Sequence, residues 1–262
     1  MKLLLKIKYN GSAYAGYQSQ PFLPSVQKTL TDAVASCLGF PCTVTGCSRT
    51  DAGVHALGFC AAVEPLEKST EDWLTIPVGK FHRALRRYLP SDIAVCGEAI
   101  VEDDLHPRYS VISKEYRYRM YDGAADDPFL EGRAWHLSRA IGDDGLLRMN
   151  EAAGYLVGHH DFTSFMASGS KITDARRTIS HLSVERFGEM LELSVRADGF
   201  LYNMVRIITG TLVDCAYGSI EPSEIQNILL SCDRSKAGRT APPHGLYLAD
   251  VTYDRPINWT IL

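Results

Sequence analysis

Residues 25–63, SVQKTLTDAVASCLGFPCTVTGCSRTDAGVHALGFCAAV, change period twice. Val26, Leu30, Val34 and Leu38 recur every fourth residue, so 25–38 is predicted as a helix with one apolar face, closed by Gly39. The Thr/Val run at 42–47 and LGFCAAV at 57–63 then read as strands. Between them stands a charged loop, Arg49-Thr50-Asp51, followed by Ala52-Gly53.

Working outward, residues 2–8 alternate as a strand. Residues 80–89 place Phe81, Leu85 and Leu89 on one helical face, and Pro90 stops the helix. IAVCGEAIV, 93–101, is a further strand. The order is β-α-β-β-α-β, the split arrangement of ferredoxin-like folds. The second half repeats it: strand 112–121, helix 145–157, strands 178–186 and 189–197, helices 202–216 and 222–231, and strand 246–253. No residue-level repeat accompanies the repeated order. The expectation is an α+β chain of two similar ferredoxin-like lobes, 1–105 and 106–262, meeting near EDDLHPR at 102–108, with a cleft between them.

Composition agrees with a globular chain. Of 262 residues, 45% are hydrophobic and 22% charged, enough to bury a core without disulfides. The seven cysteines form no C-x-x-C pair, and their odd number fits a reducing cytoplasm. MKLLLKIKY is too short and too charged to span a membrane. A net charge of −4 argues against coating nucleic acid non-specifically, but a local basic cleft remains compatible with it.

Asp51 has two readings from spacing. It is a turn carboxylate, as in any Asp-x-Gly loop, or a reactive carboxylate that Arg49 positions. His55 and Asp51 have no third ligand nearby, so a metal site is not expected. Ser48, Asp51 and His55 crowd one loop without a nucleophile elbow, so a hydrolytic triad is not expected either. His159-His160-Asp161 after Gly158 reads as a capping or turn cluster. In KEYRYRMY, 114–121, the residues Lys114, Tyr116, Tyr118 and Met120 share one strand face, and Arg117 and Arg119 share the other. Rings and cations so interleaved suit nucleic acid, and equally suit a half-buried strand with arginines on its wet side. Basic residues Arg83, Arg86, Arg87, Lys171, Arg176 and Arg177 read as a solvated surface or as a track for a phosphate backbone. Arg206 lies in the apolar helix of GFLYNMVRIITG, 199–210, where burial would demand a partner, Asp51 being a candidate; otherwise it reaches solvent.

Several segments together resemble one family. RTDAGVHA resembles the catalytic loop of the tRNA pseudouridine synthase A family, and YNGSAYAGYQSQ, SVQKTL, LPSDIAV, HPRYSVISKEYRY, DFTSF, FLYNMVRIITGTL and HGLYL follow in family order along nearly the whole chain. The resemblance implies a cytoplasmic isomerase without cofactor or metal. It would act as a homodimer and convert uridine to pseudouridine at positions 38, 39 and 40 of the tRNA anticodon stem-loop. By position, Asp51 is the catalytic aspartate and Tyr116 the tyrosine that contacts the target base. Arg49 is the arginine of the same loop, Arg206 the arginine that pairs near the aspartate, and Leu246 the apolar lining of the base pocket. Ser48 stands where the family has glycine, Tyr17 where it has tryptophan, and Arg86 where asparagine is common. A binding module without catalysis would fit the same RNA surface, but the intact Asp51 and Tyr116 argue against it. A small-substrate hydrolase would need a second acid in these loops.

Overall fold

Strand β1 (Lys2–Tyr9) carries Leu3, Leu4, Leu5 and Ile7, fully buried on both faces, and two other strands pair with its backbone edges. The computed structural model describes residues 1–67, 73–169 and 172–261. Its contacts divide into two units, Met1–Ile112 with Leu248–Leu262, and Ser113–Tyr247.

In the first unit β1 is followed by helix α1 (Val26–Leu38). The Ser25 side chain accepts from Lys28 N–H at 3.3 Å, and Gly39 closes the helix at φ +82°. Strands β2 (Cys42–Gly46) and β3 (His55–Pro65) form the next antiparallel pair. Helix α2 (Phe81–Leu85) is shorter than the expected 80–89. Residues 86–89 continue only as turns, since Pro90 supplies no N–H and disfavours helical backbone at Leu89. Strand β4 (Ile93–Val101) carries Glu98, fully buried, which accepts from Gly79 N–H and His82 N–H at 2.6 Å and meets His82 Nδ1 at 2.9 Å. One buried carboxylate thus fixes the entry to the arginine-rich turn. The strands pair in the order β4-β1-β3-β2, all antiparallel.

The second unit runs β5 (Val111–Tyr121), β6 (Trp135–His136), α3 (Asp143–Gly154), β7 (Gly158–Asp161), β8 (Arg176–Phe187), β9 (Met190–Ala197), α4 (Met204–Ala216) and α5 (Glu224–Ser231). Its sheet is ordered β5-β9-β8-β7, antiparallel, with β6 parallel to β5. Strand β7 corrects the reading of His159-His160-Asp161 as a cap. Those residues pair with Thr178, Arg177 and Arg176 of β8, which no alternation in so short a run foretold. Strand β10 (Leu246–Tyr253) begins in this unit, and the chain then rejoins the first. There Leu248 onward lies beside β3, and β11 (Thr260–Ile261) pairs with β4.

The whole is an α+β structure, mostly antiparallel, with few helices. Helix α4 is the most buried, with eleven residues from Met204 to Cys215 buried and Arg206 half-buried among them. No helix of the described residues is long and apolar enough to cross a membrane.

Candidate active site

Asp51 lies in the loop between β2 and β3. Val54 N–H donates to the Asp51 carbonyl at 3.1 Å, closing a four-residue turn in which Gly53 takes φ +77°. A glycine adopts that left-handed conformation without the clash a Cβ brings. Asp51 is half-buried, Arg49 is exposed, and Thr50 between them is buried.

The loop is clamped from one side by the segment after β1. Tyr17 N–H donates to the Thr50 carbonyl at 3.1 Å, and Gly53 N–H donates to the Tyr14 carbonyl at 3.3 Å. A Cβ on Gly16 would stand 2.5 Å from the Thr50 carbonyl oxygen and 3.3 Å from the Asp51 carbonyl carbon. The backbones touch because Gly16 has no side chain. Beneath, the buried hydroxyls of Tyr9 and Thr50 are 2.8 Å apart. His55, also buried, accepts at Nδ1 from Gly11 N–H at 2.9 Å, so the neutral ring carries its proton on Nε2. Tyr17 stacks on Phe59 with ring centroids 4.2 Å apart, its hydroxyl buried without a hydrogen-bond partner. Tyr9, Gly11 and Gly16 are the residues that spacing missed, and His55, weighed there only as a ligand or triad member, holds Gly11. Their roles depend on contacts between segments more than thirty positions apart, and no local pattern signals that.

In the second unit, Tyr116 lies on β5, buried, its ring edge-on to Phe200 at 5.0 Å. The expected alternation holds from Tyr116 to Met120, with Tyr116, Tyr118 and Met120 buried and Arg117 and Arg119 half-exposed; it fails at the ends, where Lys114 is only half-buried and Tyr121 is buried. Those arginines are engaged. Arg117 meets Glu115 at 3.1 Å and Glu192 at 3.4 Å, and Arg119 meets Glu192 at 3.0 Å and lies 4.7 Å from the centre of the Tyr247 ring. For this strand the half-buried reading describes what the arginines do. Burial pushes Glu115 up, but hydrogen bonds from Arg196 and Arg117 outweigh it and hold the carboxyl below its ordinary range.

Arg206 opens α4. Its Nε donates to the Ala241 carbonyl at 2.7 Å and its Nη1 to Asn203 Oδ1 at 2.8 Å, while Ala241 N–H donates back to the Arg206 carbonyl at 3.0 Å. Asn203 precedes the helix at φ +58°, a left-handed position that asparagine tolerates. Residues 238–241 lie hard against α4, since a Cβ on Gly210 would stand 1.9 Å from the Arg239 carbonyl oxygen. Leu246 follows a short turn, Pro243–Gly245, and is buried. Of the arginines proposed as a track, Arg83, Arg86 and Arg87 are exposed, and Arg176 is exposed while paired with Asp174 at 3.0 Å. Lys171 lies outside the described residues. Among the described residues no group of three or more His, Cys, Asp or Glu is placed to hold a metal ion.

A family model described as tRNA pseudouridine synthase matches residues 152–254. The chain is 40% identical to the tRNA pseudouridine synthase A of Thermoanaerobacter sp. (strain X514), over 96% of this chain and 99% of that one. It is 42% identical to the protein of that name from Bacillus subtilis (strain 168), over 97% and 100% of the two chains. With that of Shouchella clausii (strain KSM-K16) it shares 41% identity over 98% and 95%.

Proposed function

We propose a reaction for this chain, which belongs to the tRNA pseudouridine synthase A family: the isomerisation of uridine to pseudouridine in tRNA, at positions 38, 39 and 40 of the anticodon stem-loop. The observation that carries the site is the clamped turn of residues 51–54, a half-buried carboxylate beside an exposed arginine in a loop whose backbone is fixed at Thr50 and Gly53. Catalysis benefits when such a group is held before the substrate arrives.

The bond between uracil N1 and the sugar C1′ breaks, the freed uracil rotates, C5 bonds to C1′, and the C5 proton leaves. Asp51 acts on the sugar by one of two routes, attack at C1′ or removal of a sugar proton to give a glycal. To reach it, the target base leaves its stack at a cost of a few kcal/mol. Tyr116 stacks on the uracil and its hydroxyl assists removal of the C5 proton. Arg49 fills the vacated space or pairs with Asp51. Arg206, held by Asn203 and the Ala241 carbonyl, takes the part of the family's arginine that acts near the aspartate. Leu246 lines the pocket that keeps the detached uracil from escaping. No cofactor is required by this chemistry.

The expected lobes divide the labour, 1–105 supplying Asp51 and 106–262 supplying Tyr116. With the short strands β6 and β7 set aside, each unit runs strand, helix, strand, strand, helix and sets its third main strand beside its first, which supports two ferredoxin-like lobes. A cytoplasmic homodimer, with exposed Arg83, Arg86 and Arg87 meeting tRNA phosphates, completes the reading.

The test is tritium release from tRNA labelled at uridine C5. Wild type should release it. Asp51→Asn should release none while still binding tRNA. Equal release from both proteins refutes the role of Asp51.

A further inference from the structure

Phe22 is the most exposed large apolar residue of the described chain, at 105% relative accessibility, and its backbone takes φ +64°. It sits at the third position of a four-residue turn, Gln20-Pro21-Phe22-Leu23, closed by a bridge between Gln20 and Leu23. Pro21 supplies the fixed φ such a turn wants at its second position, and the third position, left-handed, favours glycine or asparagine. A phenylalanine there gains nothing from burial and is strained. Folding alone therefore does not account for it.

The turn is also held firmly and in a particular place. Ala15 N–H donates to the Pro24 carbonyl at 2.9 Å, closing the base of the loop. Ser19 N–H donates to Gln27 Oε1 at 3.0 Å, and Gln27 Nε2 donates to the Val44 carbonyl at 2.8 Å, tying the loop to β2. The base of this loop is the same Tyr14–Tyr17 segment that clamps Thr50 and Gly53. Phe22 is six positions along the chain from Gly16, which packs on the Asp51 backbone, a reach of at most about 20 Å. That is the length of a few nucleotides along a strand.

We infer that Phe22 is a rigid stacking finger that receives an unpaired base of the substrate RNA close to the nucleotide delivered to Asp51. The inference rests on the RNA-modifying reading above. An exposed ring accepts the face of any base, and a turn fixed by Pro21 and Pro24 presents it without ordering a flexible loop on binding. RNA is the occupant because the ring shares its scaffold with the loop that must meet RNA.

Three proteins test it: wild type, Phe22→Gly and Phe22→Trp. Glycine suits φ +64°, so Phe22→Gly should melt at or above the wild-type temperature. Its affinity for tRNA should fall by about 5- to 100-fold, the worth of one stacked base. The salt slope of binding should be unchanged, because no phosphate contact is lost. Phe22→Trp should bind within about twofold of wild type, because base–aromatic stacking needs only the ring. A folded Phe22→Gly protein that binds tRNA as tightly as wild type overturns the inference, as does one whose oligomeric state changes while its tRNA affinity holds. Tritium release by the wild type is scored separately. Its absence sinks the parent reading, whereas its presence beside an unchanged Phe22→Gly affinity sinks only the finger.

Discussion

Replacing Tyr17 by phenylalanine should stabilise the protein. The Tyr17 hydroxyl is the one buried side-chain nitrogen or oxygen among the described residues with no hydrogen-bond partner. Burial pushes this phenol far above its ordinary range, as expected of a group cut off from water. An unsatisfied buried hydroxyl costs about 1–3 kcal/mol, which Tyr17→Phe recovers. Against that stands a void one oxygen atom in size. The ring is otherwise retained between Phe59, at 4.2 Å, and Gly46, whose absent Cβ would stand 2.4 Å from it. A lost atom's dispersion contacts offset a few tenths of a kcal/mol. The net gain is about 1 kcal/mol, a rise in Tm of roughly 2–4 °C for a chain of this size. Thermal melts and urea midpoints of the two proteins measure it, with an unchanged m-value showing that the unfolded state is not involved. A Tyr17→Phe protein less stable than wild type would refute the reasoning, because it would mean that the hydroxyl holds a partner. Tyr17→Trp is the contrasting arm. The indole is larger than the slot that Gly46 leaves, so it should destabilise by about 1–3 kcal/mol.

Gly16→Ala should cost about 3 kcal/mol and also lower kcat beyond what the lost stability explains. The new Cβ meets the Thr50 carbonyl at 2.5 Å and the backbone is held at φ +108°, so relief must move the Asp51 turn. Full activity in that variant would show that the clamp is not needed. Asp122→Asn should cost about 2–3 kcal/mol at neutral pH, because Arg186 grips both Asp122 oxygens at 3.1 and 2.8 Å. Burial pushes Asp122 up, but Arg186 and the Ile141 N–H outweigh it and hold the carboxyl below its ordinary 3.8. A lowered folded value means the contribution is present above pH 3.8 and lost as pH falls through the folded value. Urea midpoints should therefore differ most above about pH 5 and converge below pH 3.8. A gap that persists in acid would show that shape, not charge, is at work.

Helix α1 was legible because both ends announce themselves, Ser25 as a cap and Gly39 as a stop, around a four-residue apolar period. The loop at Arg49–Asp51 was legible as a strand-to-strand connection for a similar reason: apolar runs bound it on each side. What could not be read was reach across the chain. Arg119 looks like a free cation in KEYRYRMY, and its partner Glu192 is 73 residues away. Arg206 was expected to need an acid, yet two of the groups it binds are neutral, the Ala241 carbonyl and the Asn203 amide oxygen. The strand at Gly158–Asp161 escaped because β8 defines it, not its own four residues. Helix α2 was overestimated because apolar spacing persists to Leu89 after Pro90 has already disrupted the backbone. Local periodicity records which face is buried, and hydrogen-bond partners are decided by the register of distant strands.

The return of the chain to its first unit sets an order of events during synthesis. Strand β4 ends at Val101, and β10, which lies beside β3, is complete only at Tyr253. About 150 residues separate them, or roughly 8–30 s at ribosomal rates. Through that interval β3 holds β1 and β2 but lacks its last neighbour, and the free rim of β4 awaits β11. The newborn chain thus displays unpaired strand edges for far longer than a hairpin needs to form, while residues 113–247 leave the ribosome and close their own sheet. Stalled or shortened chains ending before residue 248 would keep those edges open, and would be the species that holdases bind and that aggregate first.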